Sequence, residues 1–217
     1  MNPCVFCSQL NGGSARAPWN QPILESENFL VVPSLGSLVE GWTLLVPKQH
    51  YLSMGALPSG LRAEAESLQH DVERLLRAQF DQPLVIFEHG PSAVKHGTGC
   101  GVDHAHTHVL PIDCALLALA MPLVPEGTEW LPAGWAERAA AYEAGLDYLY
   151  LKQDGCPGVI AVAEDFGSQV FRKAIASYLG KPTEFSWREH PRHEVALQTT
   201  AKLRSAILQT HGECEHA

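Results

Sequence analysis

The sequence predicts an α+β fold: an antiparallel sheet with a helix packed on it, followed by a second α+β segment. Three observations carry this. Two runs rich in Leu, Val, Phe or Trp, ILESENFLVVP and GWTLLVPKQH, read as strands, with Gly36 and Gly41 punctuating the connection. A helical pattern follows from Ser59, and then two more strand-like runs, PLVIFEHG and VDHAHTHVLPI. After about Asp113 the texture shifts, and helices and strands recur. The expected division is therefore 1–113 and 114–217, the second part packed on the first.

Taken in order, the first 21 residues open with Cys4-x-x-Cys7 and run through a loop, NGGSARAPWNQP. Leu61, Leu68, Val72, Leu75, Leu76 and Phe80 fall at helical spacing among Glu, Arg, Gln and Asp, with Ser59 as N-cap. PSAVKHGTGCG is a glycine-bearing loop before the last strand of the first part. CALLALAMPLV and PEGTEWLPAGW read as a connection, and WAERAAAYEAG as a short helix. DYLYLKQDG and GVIAVAEDF form a hairpin-like pair around Asp154-Gly155. SQVFRKAIASYLG is a helix ending at Gly180, and a last helix runs from about Glu194 to Thr210.

Apolar residues make up 46% of the 217-residue chain and charged residues 18%, enough to bury a core. A formal net charge of −9 argues against a bulk electrostatic grip on nucleic acid. The N-terminus lacks a basic region with an apolar run, and Cys114 to Val124 is too short to span a bilayer. The expectation is a cytoplasmic protein with free cysteines, binding neither nucleic acid nor membrane.

The stretch with the most chemistry is DHAHTHVLP, in which His104, His106 and His108 alternate. In a strand, alternate residues share a face, so three imidazoles point the same way and Ala105, Thr107 and Val109 the other. Two chemistries suit that face. Neutral imidazoles bind metals. An imidazole nitrogen can also attack phosphorus when its second nitrogen is held, while neighbouring imidazoles donate to phosphoryl oxygens.

HAHTHVL, together with GWTLLVPKQH and the opening CVFC, resembles the histidine triad (HIT) family. The motifs stand in family order across residues 1–113, which are thus expected to be a HIT-like nucleotide-binding and catalytic domain. The second half is similar to the C-terminal extension of a longer bacterial subgroup. The resemblance implies a nucleotide hydrolase or nucleotidyltransferase acting at an α-phosphate, on a dinucleoside polyphosphate or nucleoside phosphoramidate. His106 would be the nucleophile, His108 would bind the phosphate and support the leaving group, and Leu44 to Pro47 would line the nucleoside pocket. A homodimer is a further implied partner.

The chain departs from the family at several places. Gly99, Cys100 and Gly101 replace a loop that usually brings side-chain donors, and Lys95 and His96 are nearby sources of positive charge. Glu88 stands where an amide is usual, and Ser34 where an Asp or Asn usually holds the ribose. An ionised Glu cannot donate to a phosphate. In the second half, Gln169 and Arg172 lie one helical turn apart, and Arg172 suits bidentate phosphate binding. WREHPRHE gives no recognisable site.

Cys4 and Cys7 can place two thiolates on one ion. The resemblance completes the set with His50 and His104, implying a structural zinc. Two other readings compete with the enzyme: a non-catalytic nucleotide-binding regulatory module on the same fold, and a metallohydrolase with all three triad histidines on a catalytic metal.

Overall fold

The computed structural model describes residues 4–10, 17–94, 97–99 and 101–214. Lys95, His96 and Cys100 lie outside the described residues. The elements are α1 (Val5–Leu10), β1 (Leu24–Glu25), β2 (Phe29–Pro33), β3 (Thr43–Pro47), α2 (Ser59–Gln79), β4 (Leu84–Gly90), β5 (Thr107–Pro111), α3 (Leu116–Ala120), β6 (Leu131–Pro132), α4 (Trp135–Glu143), β7 (Asp147–Gln153), β8 (Val159–Ala163), α5 (Val170–Tyr178) and α6 (His193–Cys214). The strands form one antiparallel sheet in the order β1-β2-β3-β5-β4-β7-β8-β6. The α+β class expected from the sequence is the one observed. The sheet runs without a break from the first half into the second, because β7 pairs with β4 from Val85↔Gln153 to Gly90↔Tyr148.

Several boundaries differ from the sequence reading. The run 23–33 is two strands, not one: Leu24↔Val31 and Glu25↔Leu30 pair across a turn. Glu64 on α2 accepts hydrogen bonds from Ser26 Oγ, Asn28 N and Asn28 Nδ2, and so fastens that turn. Val5–Leu10, in the Cys-x-x-Cys opening before the expected loop, is helical, as is Leu116–Ala120 inside the expected connection. Pro58 takes the N-cap position of α2 and Ser59 is its first helical residue. The strand expected from Val102 begins only at Thr107, since Ala105 N pairs with Tyr51 O beyond the end of β3.

Each face of the sheet has its own core. Val31, Leu45, Ile86 and Val109 point to the face covered by α2 and α6, through Leu68, Val72, Leu76 and Leu203. A fully buried Leu or Val contributes about 1.5–3 kcal/mol, so this face accounts for much of the stability. Phe87, Leu149 and Leu151 point to the opposite face, covered by α3 and α5. On that same side, Leu30, Val32, Leu44 and Val46 pack against Phe6 of α1. Leu44↔His108 and Phe87↔His108 are register partners, which puts His108 on the α1/α5 side, between two covering elements that leave a pocket. Among the described residues no helix is long and apolar enough to cross a membrane.

Candidate functional site

The hydrogen bonds around the triad fix which nitrogen of each imidazole carries hydrogen. A carbonyl oxygen can only accept and an indole N–H can only donate. His106 Nδ1 lies 2.7 Å from its own neighbour's carbonyl, His104 O, so Nδ1 donates and Nε2 keeps its lone pair. Trp42 Nε1 donates to His108 Nδ1 at 2.9 Å, so the hydrogen of a neutral His108 sits on Nε2. His104 Nε2 donates to Pro47 O at 2.8 Å, leaving Nδ1 as a ligand atom. One ring therefore presents an unprotonated Nε2, the next an Nε2–H and the third an unprotonated Nδ1.

Burial keeps the first two neutral. His106 is held down to about 4, chiefly by burial, with the neighbouring His104 and Arg172 adding to the effect. His108 is pushed well below its usual range by burial, then by His106, Arg172 and His89. The lone pair of His106 Nε2 is thus available at neutral pH without losing a proton first. The rings of His106 and His108 stand 5.0 Å apart, and Phe87 stacks on His108 at 4.2 Å.

A pocket opens over this pair. Its polar contributors include Ser34, Asn20, His106, His108 and Arg172; its apolar walls include Phe6, Pro33, Leu35, Leu44, Val102 and Trp187. Of the residues expected at the substrate, Ser34 and Arg172 are there together with both catalytic candidates. The Ser34 hydroxyl is turned to Leu35 O at 3.3 Å. Arg172, 1% exposed, donates from Nε to Phe185 O and from Nη2 to Gly36 O, and its guanidinium lies 4.8 Å over the Trp42 ring. Gly99 and Gly101 belong to the loop before the triad, which the second half braces: Gln169 N and Ser168 Oγ donate to Gly99 O, and Arg188 Nη2 to Gly101 O.

Glu88 is a correction. Its neighbour Phe87 faces His108, so the alternation of β4 turns Glu88 to the other side of the sheet. There it is fully buried, accepting from Met54 N at 2.6 Å and Tyr148 Oη at 2.7 Å, with Arg138 Nη1 at 3.5 Å. Burial pushes its carboxyl up, and Arg138, Tyr148 and Met54 N oppose that. It anchors α4 and the Met54 turn to the sheet and does not line the pocket over the triad.

The sequence reading left out Trp42, Asn20, Phe6, Trp187 and His89. His89 follows Phe87 on the triad face, with its ring 6.3 Å from His108, and its Nε2 accepts from Phe171 N at 3.2 Å. Burial holds it down to about 3. The only sequence signal for His89 was its place two residues after a strand's aromatic; that β4 lies beside β5 is a tertiary fact.

Cys4, Cys7, His50 and His104 form a second cluster, their ligand atoms all within 4.8 Å of one another. Cys4 Sγ and Cys7 Sγ lie 3.4 and 3.6 Å from His104 Nδ1, and Cys7 Sγ 3.3 Å from His50 Nδ1. Ligand atoms about 2.0–2.3 Å from a tetrahedral ion stand about 3.3–3.8 Å apart, so the donor set fits one cation. The lone pair that the Pro47 carbonyl leaves on His104 Nδ1 faces both sulfurs.

No family model matches the chain. An uncharacterised HIT-like protein of Methanocaldococcus jannaschii is 28% identical over 109 residues, covering 50% of this chain and 78% of that protein. An uncharacterised HIT-like protein of Mycobacterium tuberculosis is 29% identical over 111 residues, covering 50% and 71%. Among solved structures, a zinc-bound histidine triad family protein from Mycobacterium smegmatis aligns with a TM-score of 0.40 and 21% identity, over 66% of this chain and 92% of that one. Over about half of its length the chain is thus similar to HIT-like proteins, in the half that carries the triad and the segments preceding it, and a further half lies beyond the matched region.

Proposed function

We propose that the chain is a nucleotide hydrolase or nucleotidyltransferase of the HIT type. It acts at the α-phosphate of a dinucleoside polyphosphate or a nucleoside phosphoramidate. The observation that carries this is the pair of oppositely set imidazoles: His106 with its Nε2 lone pair free of the Nδ1 bond to His104 O, and His108 with Nε2–H.

His106 Nε2 attacks the α-phosphorus and the bond to the leaving group breaks. The nucleotidyl group is then carried on His106, whose Nδ1–H remains on the His104 carbonyl and stabilises the charge formed on the ring. His108 Nε2–H donates to a phosphoryl oxygen or to the departing group. Water or another acceptor attacks the same phosphorus and returns His106 to its neutral form. The buried guanidinium of Arg172 supplies positive potential in the same pocket. Cys4, Cys7, His50 and His104 would hold a structural zinc, which fastens the N-terminal segment beside the triad.

The test is intact-protein mass spectrometry after brief exposure to a panel of nucleoside phosphoramidates and dinucleoside polyphosphates. A nucleotide-sized adduct on the wild type and none on His106→Ala is the expected result. Binding without adduct or product, in folded and metal-loaded protein, replaces the enzyme with a nucleotide-binding regulatory module.

A further inference from the structure

The segment 184–192, which overlaps the WREHPRHE stretch (187–194) that gave no recognisable site in the sequence, reaches the pocket through Trp187. Its anchors lie on both sides of the pocket. On one, Gly36 N donates to Pro191 O at 2.7 Å, and Arg172 joins Phe185 O to Gly36 O. On the other, Arg188 donates to Gly101 O in the loop before the triad. Glu184 and Arg192 form an ion pair that closes the segment on itself. The approach is close enough that a Cβ on Gly36, which has φ +69°, would lie 2.6 Å from Trp187 Cα. A side chain there would push the segment off the pocket. The strap is thus held by two arginine side chains on backbone carbonyls and by the close approach at Gly36, with the half-buried Trp187 lining the cavity beside Leu35 and Arg172.

The two ends of the pocket differ in chemistry. His106, His108 and Arg172 suit a phosphoryl group, whereas Leu35, Leu44 and the Trp187 indole offer an apolar, aromatic surface. A flat heteroaromatic ring gains from an indole face, and an open sugar phosphate does not. We propose that Trp187 is a specificity-determining residue that packs against the nucleobase, so that the second half of the chain reads the base while the triad handles the phosphate. This rests on the nucleotide reading above.

The experiment measures dissociation constants of the full-length chain for AMP, GMP, CMP, UMP and ribose 5-phosphate, in the wild type, Trp187→Leu and Trp187→Phe. The wild type should bind at least one nucleotide about tenfold or more tightly than ribose 5-phosphate, the size of one base–aromatic contact. Trp187→Leu should lose that preference with ribose 5-phosphate binding unchanged, and Trp187→Phe should keep most of it. Equal weakening of both ligands by Trp187→Leu, or no weakening, overturns the proposal while leaving the nucleotide reading intact. No preference for any nucleotide in the wild type overturns the nucleotide reading as well. Should Trp187→Leu fail to fold, 19F-labelled tryptophan in the wild type, with the Trp187 signal assigned by Trp187→Phe, gives the answer. That signal should shift with the preferred nucleotide and not with ribose 5-phosphate; an unmoved signal rejects the contact.

Discussion

Trp42 Nε1 donates to His108 Nδ1 at 2.9 Å, and the same indole lies under the Arg172 guanidinium at 4.8 Å. One fully buried side chain just before β3 thus sets the tautomer of a triad histidine and supports the cation beside it. Replacing it with Phe keeps an aromatic ring but removes the donor. Trp42→Phe should slow formation of the His106 adduct about 10- to 100-fold, the usual effect of losing a partner that orients a functional histidine. Nitrogen-15 NMR of His108 provides the independent check: a single Nε2–H tautomer in the wild type and a mixture in the variant.

The two clusters meet in the short stretch His104 to His108 and are expected to do different things. His104→Ala removes a ligand atom whose partners are Cys4 and Cys7, so bound metal should fall from about one ion per chain to near none, with loss of thermal stability. His106→Ala should keep the metal and the fold and lose only the adduct. Metal analysis and melting of both variants check this; equal metal loss would mean that His106 is also a ligand.

Glu88 is expected to matter for stability and not for chemistry. Glu88→Ala leaves Arg138, itself 5% exposed, without its buried carboxylate. Breaking such a pair costs about 3–5 kcal/mol. Urea unfolding should show that loss, while the rate of adduct formation in the remaining folded protein stays near the wild-type value.

Stability should fall in mild acid. His89 is held from 6.5 down to about 3 by burial, and His106 from 6.5 down to about 4. The unfolded chain therefore takes up these protons first as pH falls. Unfolding is progressively favoured from about pH 6.5 until the folded-state values are passed, so stability rises with pH across that window. His89→Gln keeps an acceptor for Phe171 N and removes one titrating ring. Its melting temperature should drop less steeply between pH 7 and pH 5 than that of the wild type, if about one proton fewer is taken up on unfolding.

Much of this protein is written locally. The alternation of His104, His106 and His108, the Cys4-x-x-Cys7 pair and the apolar spacing of α2 are short-range patterns, legible because a strand repeats every two residues and a helix every 3.6. They pointed to the α+β class, both catalytic candidates and the Cys4–Cys7 pair, to which the family resemblance added His50 and His104. The sequence could not say which strands are neighbours. The pairing of β4 with β5 on one edge and β7 on the other brought His89 to the triad face, turned Glu88 to the opposite core and carried the second half into the same sheet. Nor could it show that Trp187, in a charged, aromatic stretch, lines a pocket built largely by residues 6–108. Those placements depend on contacts between segments far apart in sequence, where the free energy comes from burial and shape that no local pattern records, and only the folded chain decides them.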